Sequence, residues 1–252
     1  MVWHEFGDRC NSVILLIHGV LTPWQIWQEA IDHFKHDHLV VVPELDAHTE
    51  DEVSRFVSVE DEAEKIAAYV RDNFNGHLYM LCGLSMGGRI ASVVAGMPGI
   101  RVQRLVLDGA PLEPVSKLLV GIMTKSYIRI INKSKAREAK VIESFKRDFL
   151  PAKHLDNYMK IADNMEEESI RNMLGSVFAR SEYVKYDGAM KILFMHGTKG
   201  NEKVSAKGAA KMKQINPQTE IRCFDGYAHA QLLCYEPAKW IDEVDRWVRA
   251  DQ

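Results

Sequence analysis

Residues 78–88 read LYMLCGLSMGG, and the surroundings of the serine in this stretch decide the architecture. Leu78 to Cys82 is a short, continuously apolar run. Gly83-Leu84-Ser85-Met86-Gly87 follows, with Gly88 next, and from Met86 to Ala95 the pattern turns helical and stops before Pro98. A strand that bends into a helix through G-x-S-x-G holds its serine in a strained backbone conformation, hydroxyl above the sheet. The glycines two before and two after the serine let neighbouring backbone approach without clash. The helix N-terminus offers N–H groups and a favourable dipole to a developing oxyanion. Ser85 is read as a nucleophile, against a turn that merely needs its glycines.

Similar apolar runs recur along the chain. Ser12 to Ile17 ends at His18-Gly19, Leu39 to Pro43 at Glu44, and Arg104 to Leu107 at Asp108; Lys191 to Met195 and Glu220 to Phe224 follow. Continuous apolarity fits strands covered on both faces. Between them lie helical patterns. Ser58 and Asp61 suit a capping box, with Ala63, Ile66, Ala67, Val70 and Phe74 on one face and Gly76 as a stop. Trp240, Val244, Trp247 and Val248 share a face near the C-terminus. The alternation predicts an α/β protein with a mainly parallel, doubly wound sheet. Residues 114–186 break the rhythm with helical faces and no convincing strand. They are expected to form a helical cap inserted into a core made of residues 1–113 and 187–252.

Composition excludes several classes. The chain of 252 residues has a formal net charge of −3 and no Lys/Arg stripe, which argues against nucleic-acid binding. The four cysteines show no paired spacing, so neither a disulfide framework nor a zinc site is expected. No window approaches a membrane span, and Glu5, Asp8 and Arg9 stand where a signal peptide would be apolar. A soluble cytoplasmic protein is the expectation, with oligomeric state open.

A serine hydroxyl needs a base, and ten histidines are available. His229 lies in a Gly-containing loop after the last strand, which in a parallel sheet opens at the same edge as the Ser85 turn. His196 marks a strand end, His33, His36 and His38 sit at a polar helix end, and His18 is expected to shape its own loop. After the first long strand, Gly19 allows a turn that would aim the Val20 amide at the site. With the Met86 amide it would make an oxyanion hole. Trp24 is a candidate for the substrate pocket wall; Trp27 is as readily a core residue.

Taken in order, LLIHGV, VVVPELDAH, CGLSMGG, a helical insertion, ILFMHGTKG and GYAHAQLLCYEPAKWIDEVDRW make the chain resemble the α/β-hydrolase superfamily over nearly its whole length. That resemblance implies a serine–acid–histidine order, with the acid commonly on the loop after the strand at Lys191 to Met195, three residues past a glycine. Here that position is Gly200. Glu202 is two residues further on, and its longer side chain could recover the reach; Asp108, at the end of the preceding strand, is where some relatives place the acid. Against these stand a solvated loop charge for Glu202, a turn residue for Asp108, and a site with no carboxylate partner. The resemblance implies a serine hydrolase acting on a small-molecule ester or thioester, with no metal or organic cofactor expected. Carbon–carbon hydrolysis, a lyase or acyltransferase reaction, or a slow-turnover receptor would use the same residues, because the superfold hosts many chemistries.

Overall fold

Runs of branched aliphatic residues without polar alternation are satisfied by burial on both faces of a sheet, and that is where they lie. The computed structural model describes residues 1–180 and 183–250. Residues 181 and 182 of the expected insertion and 251 and 252 of the expected core lie outside the described residues. Seven strands form one sheet: β1 (Val2–Phe6), β2 (Val13–Ile17), β3 (Leu39–Glu44), β4 (His77–Leu84), β5 (Arg101–Asp108), β6 (Lys191–Gly197) and β7 (Thr219–Phe224). Every residue of β2 and β3 is buried. The spatial order is β1-β3-β2-β4-β5-β6-β7. Only the edge pair β1–β3 is antiparallel among these strands.

The helices are α1 (Gln28–Phe34), α2 (Val59–Phe74), α3 (Met86–Val94), α4 (Lys117–Lys135), α5 (Ala139–Asp148), α6 (Leu155–Asn164), α7 (Glu167–Val177), α8 (Glu202–Ile215), α9 (Gln231–Tyr235) and α10 (Pro237–Arg249). Ser58 caps α2 by accepting the Asp61 N–H at 3.0 Å. The helix stops at Asn75, left-handed at φ 52°, one residue before the anticipated Gly76. Around the sheet, α1 packs with α10, α2 with α3, and α8 against β6 and β7. Trp27 and Trp240 meet edge to face at 5.2 Å, both fully buried. Helices α4 to α7 lie between β5 and β6 in the chain, with no strand among the described residues there. No helix among the described residues is long and apolar enough to cross a membrane.

The sheet order also selects a place for chemistry. From β2 the chain moves to β3 on one side, and from β4 to β5 on the other. The loops leaving β2 and β4 therefore diverge, opening a crevice at the C-terminal edge. Gly19 and Ser85 sit at the two sides of that crevice. The close approach depends on Gly87, where a Cβ would collide with the Ile17 and His18 carbonyl oxygens. Gly87→Ala is expected to cost about 1–3 kcal/mol of stability through overpacking, measured by urea unfolding. A change within experimental error would show that α3 can retreat from β2 without penalty.

Candidate active site

Ser85 joins β4 to α3 with φ 54° and ψ −116°, left-handed backbone that a non-glycine residue adopts at a cost. Its N–H donates to the Asp108 carbonyl at 2.7 Å, so the neighbouring strand end fixes the turn. The loop after β7 is tied to the loop after β6, because the Thr198 and Lys199 N–H groups both donate to the Tyr227 carbonyl at 3.0 Å. This cross-tie brings His229 over the strand ends. Its Nε2 lies 2.7 Å from Ser85 Oγ, and its Nδ1 is hydrogen-bonded to Glu202 Oε1. The other Glu202 oxygen accepts the Gly197 N–H at 2.7 Å. A side chain at Gly109, itself at φ 60°, would press on the imidazole, 2.9 Å from Cε1. Ser205 donates to the Gly109 carbonyl at 3.1 Å and holds that backbone in place.

The two carboxylates weighed from sequence occupy different environments. Glu202 is the first residue of α8 and is 1% exposed, not a solvated loop charge. Burial raises its pKa, but the hydrogen bond and charge of His229, with the Gly197 amide, outweigh this and leave it below 4.5. Asp108 accepts the Trp240 indole N–H at 3.0 Å. Burial pushes its carboxyl up to about 7, Glu202 adding to the rise while His229 and Trp240 oppose it. Glu202 is thus the carboxylate in contact with His229, and Asp108 stands behind the pair.

On the other side of the crevice, the Gly19 N–H donates to Thr22 Oγ1 at 2.9 Å and the Leu21 N–H to His48 Nε2 at 3.0 Å. Leu21 is itself left-handed at φ 57°. Neither the Val20 nor the Met86 amide has a partner among the described residues. His48 and His18 are a buried pair with ring centroids 4.9 Å apart. His48 Nδ1–H donates to the Asp46 carbonyl at 3.2 Å and His18 Nδ1–H to the Gly19 carbonyl at 3.0 Å, while His18 Nε2 accepts the Leu45 N–H at 3.2 Å. Each ring accepts a backbone N–H on its remaining nitrogen, so both are neutral. Burial lowers His18 to about 4, and burial together with His18 lowers His48 to about 3. The loop-shaping expected of His18 is therefore shared with His48, which the sequence reading passed over.

A cavity of about 140 Å³ opens over Ser85 and His229, lined from the helical segment by Leu119, Met123, Tyr127, Phe149, Leu174 and Phe178. Trp24, expected on its wall, is elsewhere. It stacks on His4 at 4.2 Å and packs against Phe6, because the edge strand β1 offers it an aromatic seat. His196 donates to or accepts nothing at this site; its Nδ1 lies 2.8 Å from the Gly197 carbonyl. A larger cavity, about 660 Å³, lies by Arg101, Arg104 and Lys191 at the opposite ends of β5 and β6. It contains no comparable hydrogen-bonded serine, so geometry rather than volume designates the site.

The chain matches the alpha/beta hydrolase fold family over residues 12–233 and belongs to that family. A curated relative, assigned as a 2-succinyl-6-hydroxy-2,4-cyclohexadiene-1-carboxylate synthase of Haemophilus influenzae, is 29% identical over 102 residues, 39% of this chain and 41% of the relative. The match thus spans about two fifths of that relative's length. Among solved structures, an alpha/beta hydrolase family protein from Desulfitobacterium hafniense superposes with a TM-score of 0.75 at 22% identity, covering 98% of this chain and 100% of that one. A thermophilic esterase from Thermogutta terrifontis gives 0.73 at 19%, covering 99% and 93%. MenH from S. aureus gives 0.70 at 15%, covering 99% and 98%. These superpositions establish a shared fold.

Two measurements probe the site's electrostatics. In the fold, Asp108 holds its proton up to about pH 7, against 3.8 for an ordinary aspartate. Its contribution to stability is therefore full below 3.8 and is lost as pH rises towards 7. Asp108→Asn, which can still accept from Trp240, should remove that loss, gaining on the wild type in unfolding midpoint between pH 5 and pH 8. Parallel curves would refute the assignment. His48→Phe leaves the Leu21 N–H buried and unpaired, which should cost about 1–3 kcal/mol of stability.

Proposed function

We propose that the protein is a serine hydrolase cleaving an uncharged or weakly charged carboxylic ester or thioester through Ser85, His229 and Glu202. The observation that carries this reading is the unbroken hydrogen-bonded line from Ser85 Oγ through both imidazole nitrogens to Glu202. Ser85 Oγ attacks the carbonyl carbon while His229 Nε2 takes its proton. Glu202 orients the ring through Nδ1–H and stabilises the imidazolium. The Val20 and Met86 amides, free of other partners, receive the oxyanion. His229 then protonates the departing alkoxide or thiolate. Water, deprotonated by the same imidazole, cleaves the acyl-enzyme and returns Ser85 to its resting state. Helices α4 to α7 act as the cap, supplying the apolar wall of the cavity.

A second reading follows from the Haemophilus relative, whose named product is a carboxylate. Lys and Arg are the usual strong partners of such an anion. Among the described residues lining the cavity none is Lys or Arg, which favours a neutral substrate over this alternative.

Fluorophosphonate labelling of the wild type, lost in Ser85→Ala, tests the nucleophile; labelling that survives the substitution overturns it. On a p-nitrophenyl ester, Glu202→Gln should lower kcat by about 10³–10⁴-fold, whereas Asp108→Asn should stay within about tenfold. A larger loss in the Asp108 variant would transfer the acid's role to that residue. His48→Phe should lower kcat about 10²-fold with little change in KM, as expected when one oxyanion donor is misplaced.

A further inference from the structure

Ligand pockets commonly enclose about 300–1,000 Å³, and the cavity over Ser85 holds about 140 Å³. A space of that size accommodates a group about as large as benzene. It can house one compact end of an ester, but not a chain of many carbons.

Next to it is a second chamber of about 360 Å³, between α4, α5 and the loop after β2. Its walls are chiefly apolar: Leu21, Ile130, Val141 and Phe145, with Lys140 and Ser144 the polar members. Tyr127 and Phe149 line both spaces and form the partition between them. Leu21 directly follows Val20, so the chamber begins one residue from the amide proposed to hold the oxyanion. The Tyr127 hydroxyl has no hydrogen-bond partner among the described residues. Tyr127 is half-buried, so this phenol is open to water or to a polar atom of a ligand passing the partition.

We infer that the second chamber is a chain-binding subsite: the substrate is an ester or thioester with one compact end over Ser85 and an apolar chain that runs between Tyr127 and Phe149 into the space behind. This rests on the hydrolase reading above and narrows its substrate class. Together the two spaces reach the volume of an ordinary ligand pocket, which the catalytic cavity alone does not.

The test uses Val141→Trp, which fills the chamber from the half-buried face of α5, and Ile130→Trp, which fills it from α4. Two ester series are compared on wild type and variants, one lengthening the acyl chain of p-nitrophenyl esters and one lengthening the alcohol of alkyl acetates. In one series the wild-type kcat/KM should hold or rise beyond six carbons, while either variant loses about tenfold or more on the long members and keeps the short ones. Retained turnover of short esters shows that the variants fold. Rates that collapse beyond six carbons in both wild-type series, or variants that lose short and long substrates alike, overturn the inference. A second readout is independent of catalysis: binding of 2-alkanones of increasing length to Ser85→Ala. Affinity should rise about threefold to fourfold for each added CH₂ and stop rising when Val141→Trp is added. If alkanones bind this way but no ester is turned over, the hydrolase reading fails and the chamber stands. If esters are turned over with no dependence on chain length or on residue 141, the chamber fails and the hydrolase reading stands.

Discussion

The site depends on the backbone of one residue. Ser85 is held at φ 54°, a conformation that costs about 1–3 kcal/mol and persists only where the surroundings over-determine it. Three contacts do so here. The Asp108 carbonyl takes the Ser85 N–H, and a Cβ at Gly83 would strike the Gly87 carbonyl. Gly87 in turn packs against the Ile17 and His18 carbonyls. Ser85 is thus anchored to three adjacent strands at once, β2, β4 and β5, which are buried at that edge. The hydroxyl's position is a property of the sheet, not of a loop.

The pair of acids behind the imidazole shows how hydrogen bonds divide roles between similar groups. Both Glu202 and Asp108 are buried and near His229. Glu202 receives the imidazole N–H and a backbone amide, which favour its ionised form. Asp108 receives one indole N–H and faces a neighbouring carboxylate, so its neutral form is favoured. Two ionised carboxylates this close would oppose one another. With Asp108 holding its proton below about pH 7, the negative charge beside the His229 imidazole rests on Glu202.

Much of this was legible in the sequence. The inner parallel strands were readable because their central residues are apolar on both faces, and the Ser85 turn because its glycines are sterically required. Strand β7 was less readable, being a half-exposed edge strand that carries Glu220 and Arg222. Edge strand β1 was not, since Val2–Phe6 is half-buried throughout and includes His4 and Glu5, leaving no continuous apolar signal. Glu202 was one of two candidates because a carboxylate's burial depends on the turn that precedes it. Gly200, at φ 63°, makes that turn and delivers Glu202 to the start of α8, a geometry that residue spacing alone does not reveal. His48 was missed for a related reason. It serves as an acceptor for a backbone N–H 27 positions away, and no local pattern marks such a partner.

The helical segment completes the site on different terms from the sheet. Strand residues at the crevice are almost entirely excluded from water, whereas Leu119 lines the cavity at 48% exposed, with Leu118 and Ile122 on the same helix at 78% and 58%. Apolar surface left in water is unfavourable by about 25 cal/mol per Å², so this face of α4 gains from being covered. The cavity wall that Leu119 shares carries no Lys or Arg among the described residues, so a neutral apolar group would cover it at less cost in lost hydration than a carboxylate. The sheet thus fixes the Ser85–His229–Glu202 geometry, while the helices above it leave apolar surface exposed.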